Sequence, residues 1–471
     1  MADRVFCIDF GSAYTKVALR RDPSADSQLL TWPNIDFCVP STVAVDRRHG
    51  TKAKLAFGDE AADLQAGGGI EVYRNWKKSV FLTPANRRTE QSPLEQLLES
   101  EELLQLANKF GVARGQITYL QQLVGAARSL IAGPGGRVIS AESQQQTLAA
   151  ALAANFFYWL RQRVLEACAK LPTTGLKYEE IPVRIAIPAF AHDSDRSHPG
   201  CKLILEALNR AGWPVHLEQP TVAEPDANTI GILTKASNVL SKNGRINLGD
   251  MFSKGPLITV LKGDAHHPTY QALVIDVGAF TTDFAALAVK PDSKSILTAG
   301  VGFSVVQHSV PFGISDLDEQ MRVVLKVDEW PVKPTWSDWA KVQQSVYSDG
   351  KGYRAPGLGR VVGGPTDSEA VQSCLGAFSQ RLAKEAVTFC EQLVPASIQE
   401  LILTGGGSSI PAIREALQNA ATVGGNTYVK THAPDLKRVK NGPPVDKLDD
   451  HFTRGGSALG GASIFYEKGY Y

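Results

Sequence analysis

Two stretches of this chain, IDFGSAYTK at 8–16 and IDVGAFTTD at 275–283, follow one plan: an apolar run, an aspartate at its end, then a turn of small residues. That plan constrains the local fold to a β-hairpin, because apolar β-formers flank a glycine-containing turn on both sides. The backbone N–H groups of such a turn point inward at an anion, and the aspartate faces a magnesium ion across it. Two such hairpins far apart in sequence imply two half-sites that close on one nucleotide from opposite sides. A third stretch, LTGGGSSIP at 403–411, again sets a glycine turn directly after an apolar run.

The rest of the chain can support such a clamp. Its 471 residues suffice for two or three domains with an ample core. Lys plus Arg number 49 against 48 Asp plus Glu, so no charge excess argues for nucleic acid or a membrane surface as the main partner. The six cysteines are scattered, with no C-x-x-C pair, and several sit in apolar segments. That usage favours free buried thiols and a cytoplasmic location. No run of about 18 apolar residues is present, so no membrane insertion is expected.

Strands are expected at 5–10, 16–20, 41–46, 183–190, 271–276 and 282–289, from β-branched and apolar runs. Helices are expected at 144–171, 199–211 and near 368–393, with another over IPAIREALQNA after the third turn. Residues 82–145 are rich in Gln, Glu, Leu and Ala and read as a helical insertion. Residues 234–256 read as an exposed polar loop, and 330–366 as irregular. Strands followed by helices, twice over, make this an α/β protein of two similar halves.

These motifs, in this order, resemble the actin-like ATPase superfamily, and most closely the nucleotide-binding domain of the 70-kilodalton heat-shock chaperones. The first two stretches look like its two phosphate motifs, and LTGGGSSIPAIREAL like its adenosine motif. VRIAIPAFAHDSDR with QPTVAEP, FGISDLDEQM and SALGGASIF are similar to connecting segments of those chaperones. The resemblance implies a two-lobed fold, each lobe a mixed sheet flanked by helices, with the nucleotide in the central cleft. Lobe I would span 1–230, lobe II 231–451, and 452–471 would pack back on lobe I. Only YEKGYY follows the last motif, so a chaperone-type peptide-binding domain is not expected.

The resemblance also implies roles. Asp9 and Asp276 would contact magnesium. Gly11, Ser12, Ala13 and Tyr14 would present N–H groups to the β- and γ-phosphates, as would Gly278, Ala279 and Thr281 from the other lobe. Lys16 occupies the place of a phosphate-contacting lysine of actins, and Lys77 or its neighbour Lys78 that of the chaperones' catalytic lysine. Gln219 precedes Pro-Thr where the chaperones carry a glutamate and actins a glutamine, which would orient the attacking water. Gly405, Gly406, Gly407 and Ser408 would lie against the adenosine and α-phosphate.

Departures stand beside these matches. Ala279 and Phe280 replace glycines, and Phe280 is expected to narrow the γ-phosphate pocket. Ser409 replaces a base-stacking arginine, and Gly455-Gly456 an acidic pair. The implied function is binding of ATP or ADP with Mg2+, slow hydrolysis to ADP and phosphate, and nucleotide-driven lobe closure. A protein partner or self-association is expected. Two alternatives are a filament-forming actin-like protein and a nucleotide-sensing adaptor with little hydrolysis.

Overall fold

The computed structural model describes residues 4–21, 27–32, 37–48, 54–65, 67–81, 141–171, 175–192, 198–231, 270–289, 303–364, 367–393, 400–423, 430–432 and 448–463. The expected helical insertion at 82–145 lies outside these residues up to 140, as does the polar loop at 234–256.

In the amino-terminal half the strands are β1 (Val5–Phe10), β2 (Tyr14–Arg20), β3 (Gln28–Leu29), β4 (Val39–Pro40), β5 (Val43–Asp46), β6 (Lys54–Phe57), β7 (Ile70–Tyr73), β8 (Val183–Ile187) and β9 (Thr221–Ala223). The helices there are α1 (Gly58–Ala62), α2 (Lys77–Phe81), α3 (Ala141–Cys168), α4 (Ala189–His192), α5 (Pro199–Arg210) and α6 (224–231). The carboxy-terminal half carries β10 (Tyr270–Val277), β11 (Thr282–Val289), β12 (Phe303–Val310), β13 (Tyr353–Arg354), β14 (Val361–Val362), β15 (Glu400–Thr404) and β16 (Lys430–His432). Its helices are α7 (Ile314–Val324), α8 (Trp336–Val342), α9 (Ser368–Gln392), α10 (Pro411–Val423) and α11 (Leu448–Ser463).

Two mixed sheets share one strand order. The first runs β3-β2-β1-β8-β9 and the second β12-β11-β10-β15-β16. In each, an antiparallel hairpin supplies the central strand, and two parallel strands continue from its other side. The register sets Asp9 opposite Lys16 and Asp276 opposite Asp283.

Alternation explains why VFCIDF reads as a nearly continuous apolar run. Phe6, Ile8 and Phe10 face Phe156, Phe157 and Leu160 of α3 and Ile204 of α5. Val5 and Cys7, pointing the other way, meet Ala458, Leu459 and Ala462 of α11. Both faces of the first sheet are therefore covered. The second half has its own core, in which Phe284, Leu317, Phe378, Phe389 and Leu417 are buried. All six cysteines are buried free thiols. Among the described residues no helix is long and apolar enough to cross a membrane.

Residues 330–364, the described part of the segment read as irregular, are more regular than their mixture of Trp, Pro and Gly suggested. Thr335 caps α8: its hydroxyl accepts from the Asp338 N–H at 3.1 Å, and the Asp338 carboxylate accepts from the Thr335 N–H at 3.3 Å. The reciprocal cap supplies donors and acceptors that the composition alone did not reveal. Beyond α8 the chain makes a π-helical turn, Gln343–Ser348, and the β13–β14 hairpin.

Candidate functional site

The two hairpin turns meet across a cavity of about 320 Å³. It is lined from the first half by Asp9, Gly11–Tyr14, Lys16, Lys77 and Glu224, and from the second by Asp276–Thr281, Asp283 and Gly405–Gly407. The carboxyl ends of β1, β9, β10 and β15 all open onto it, the usual location of a ligand crevice in parallel α/β sheets. In the second turn, the Ile314 and Ser315 N–H groups at the start of α7 donate to the carbonyls of Gly278 (3.0 Å) and Ala279 (2.8 Å). Because a peptide unit is planar and trans, a carbonyl held on one side turns the next residue's N–H to the other side. The N–H groups of Ala279 and Phe280 are thereby aimed away from α7. Gly405 holds φ at 78°, a left-handed conformation that glycine adopts without strain.

Charge in the cavity is dense and paired. Asp9 is 6% exposed and accepts from Lys16 Nζ at 2.9 Å. Burial works against the Lys16 ammonium, yet Asp9 beside it more than compensates and holds its pKa above the ordinary lysine value. Lys77, at the start of α2 and 3% exposed, bonds the carboxylate of Glu224 at the carboxyl end of β9. Burial pushes Glu224 up to about 8 against the opposing pull of Lys77. Asp283 accepts from the hydroxyls of Ser309 and Thr281, and Ser309 Oγ in turn accepts from the Ala189 N–H at 3.0 Å. Burial raises both Asp276 and Asp283 to about 7, with neighbouring carboxylates adding to the shift.

Most residues singled out from the sequence converge here: Asp9, Gly11, Ser12, Ala13, Tyr14, Lys16, Lys77, Asp276, Gly278, Ala279, Thr281, Gly405, Gly406 and Gly407 all line the cavity. The two neighbouring lysines divide. Lys77 faces the cavity, while Lys78 makes an ion pair with Asp316 at the start of α7, at 3.1 Å.

Two expectations need correction. Gln219 does not line the cavity; its N–H donates to His216 Nδ1 at 3.1 Å, ahead of β9. Gln219 precedes the amino end of β9, whereas Glu224 directly follows its carboxyl end, the end that opens onto the cavity. Ser408 is buried behind the third turn, its hydroxyl donating to the Gly405 carbonyl at 2.7 Å, and Ser409 lines the cavity instead. Phe280, expected to narrow the pocket, lines the cavity. Its side chain, 3% exposed, also belongs to the buried core of the opposite half.

Sequence reasoning passed over Glu224, Asp283 and Arg454. For Glu224 a signal existed: the one Glu-Pro pair of the sequence, Glu224-Pro225, directly follows the buried run TVA. Gly456 also has a structural reason. A Cβ there would strike the Asn228 side chain on α6, so the acidic pair suggested by resemblance has no room at this crossing.

The raised carboxylates set a pH dependence. A carboxyl group with a raised folded-state pKa stabilises the fold below its unfolded value, near 3.8, and that contribution is lost as pH climbs through about 7. The ligand-free protein should therefore melt at progressively lower temperature from pH 5.5 to pH 8. The slope is at most about 1.4 kcal/mol per pH unit for each group. Thermal melts of the unmodified chain and of Asp283→Asn measure it. An equal slope in both would remove Asp283 as a contributor.

Among the described residues no three His, Cys, Asp or Glu side chains cluster as a metal cage. Neither a protein-family model nor a curated protein sequence matches this chain.

Proposed function

We propose that this chain binds ATP or ADP with magnesium between its two hairpin turns, in a two-lobed fold like that of actins and the 70-kilodalton chaperones, and hydrolyses ATP slowly. The Ser12 hydroxyl carries this reading. It is 6% exposed, lines the cavity from within the first turn, and has no hydrogen-bond partner among the described residues. Burying a hydroxyl unpaired costs roughly 1–3 kcal/mol, which supports a ligand oxygen as its partner. The shared strand order of the two sheets supports the two-lobed reading.

The donor set suits magnesium. Asp9 and Asp276 bring hard oxygen ligands from opposite walls, and magnesium binds through one or two carboxylates, phosphate oxygens and retained waters without an all-protein cage. When bound, the ion would offset phosphate charge. The chain's own residues do the rest. N–H groups of the two turns hold the phosphates, and Lys16 adds positive charge beside the first turn. Glu224, oriented by Lys77, accepts a proton in its ionised form, which prevails above about pH 8, from the water that attacks the terminal phosphorus, releasing ADP and inorganic phosphate.

Calorimetry with ADP and magnesium tests the reading. Asp9→Ala and Asp276→Ala should each weaken binding at least about tenfold, a loss of roughly 1.4 kcal/mol. No binding by the unmodified chain at millimolar ADP overturns the proposal, as does unchanged affinity in both variants.

One observation favours a second reading, a nucleotide sensor with little hydrolysis. Phe280, on the second turn, is anchored in the core of the first half and resists the lobe movement that turnover would use. Tight ADP binding without phosphate release from ATP would select it. The filament reading loses one of its supports, because Gln219 lies away from the cavity.

A further inference from the structure

The two phosphate turns are held from behind by different means. In the second, main-chain donors of α7 fix the carbonyls of Gly278 and Ala279. In the first, a single residue does so. Ser41, between β4 and β5 and 1% exposed, donates its N–H to the Ala13 carbonyl at 2.9 Å and its hydroxyl to the Gly11 carbonyl at 2.5 Å. The hydroxyl has only one proton, and Gly11 takes it. Thr15 is therefore the donor in the 2.8 Å Thr15–Ser41 contact, giving a chain from Thr15 to Ser41 to Gly11 in which each bond polarises the next.

Peptide planarity turns these contacts into aim. With the Gly11 and Ala13 carbonyls held towards Ser41, the N–H groups of Ser12 and Tyr14 in the same peptide units point the opposite way. Both residues line the cavity. Ser41 reaches a second element as well: its own carbonyl accepts from Trp76 Nε1 at 2.8 Å, and Trp76 immediately precedes Lys77. The Trp76 ring also packs 4.8 Å from that of Phe10, the residue before Gly11. One buried serine thus joins the first turn to the helix that carries Lys77.

We propose that Ser41 is a positioning residue for the phosphate end of this site, setting the N–H donors of the first turn and their register with Lys77. This rests on the nucleotide reading above. The second turn is held by main-chain groups that only a proline substitution would remove, so the first is the one sensitive to an ordinary side-chain change. Ser41→Ala leaves the Gly11 carbonyl without its donor and frees the peptide unit to rotate.

The test compares ADP with magnesium against adenosine, by calorimetry, on the unmodified chain, Ser41→Ala and Ser41→Cys. The cysteine variant keeps the shape while replacing a strong donor by a weak one, and is the variant read if Ser41→Ala does not fold. The expected result is at least a tenfold loss of ADP affinity with adenosine affinity unchanged. Parallel losses for both ligands would assign Ser41 a merely structural role and overturn the proposal. Unchanged ADP affinity in a folded variant, beside binding by the unmodified chain, overturns it while leaving the nucleotide reading intact. No ADP binding by the unmodified chain overturns both.

Discussion

Lys77→Met is expected to destabilise the protein by about 3–5 kcal/mol at pH 9, the cost of leaving a buried charge without its partner. Lys77 and Glu224 are both nearly inaccessible and bond each other directly, so removing the ammonium strands a carboxylate inside the protein. The carboxylate has an escape. Burial already pushes its pKa up to about 8, and without Lys77 it rises further. Below that value Glu224 takes a proton and the penalty shrinks, so the loss at pH 6 should be clearly smaller than at pH 9. Removing both charges, in Lys77→Met with Glu224→Gln, should recover most of the stability at either pH. Urea unfolding at the two pH values checks all three outcomes. A loss below about 1 kcal/mol at pH 9, smaller than any buried pair should show, would mean that the pair is solvated rather than buried.

Phe280→Ala is expected to cost about 3–5 kcal/mol, the range for deleting a large buried aromatic side chain. The size is ordinary; the location gives the result its meaning. Phe280 belongs to the second hairpin turn but is buried in the hydrophobic core of the first half. Polar ties also cross between the halves, among them Lys78 to Asp316 at 3.1 Å and the Ala189 N–H to Ser309 Oγ at 3.0 Å. Tyr14 and Trp336 face each other across the cavity, with the Trp336 indole N–H donating to the Tyr14 hydroxyl at 3.3 Å. Loss of the Phe280 ring should therefore speed hydrogen exchange in both β8 and β12. Phe389→Ala, in the second half's own core, provides the control and should act mainly on the second half. Matching exchange patterns in the two variants would show that Phe280 does not couple the halves.

Much of the scaffold was legible in advance because its signals are local. The strands at Val5–Phe10 and Val183–Ile187 come from β-branched and apolar runs, and the helix Pro199–Arg210 from apolar spacing on one face. The second of these strands ends before Pro188, however, and the last expected strand residues, 189–190, begin a helix. The hairpins were legible from a glycine turn between such runs, and their strand-end aspartates do reach the cavity. The helix at Trp336–Val342 was missed because its cap depends on one Thr and one Asp within a segment otherwise full of turn formers.

The candidate site divides along the same line. The sequence by itself determined that two aspartate-bearing hairpins and a glycine turn exist, since each depends on residues within one turn of chain. Only the tertiary structure decided which polar residues join them. Glu224 displaces Gln219 because the direction of β9 in a parallel sheet selects which end of the strand opens onto the cavity. Phe280 crosses between the halves, and Ser41 stands behind the first turn, through contacts made far along the chain. No local pattern encodes these choices: strand direction and the packing of distant segments are set when the sheets assemble, and burial then turns the chosen side chains into a site.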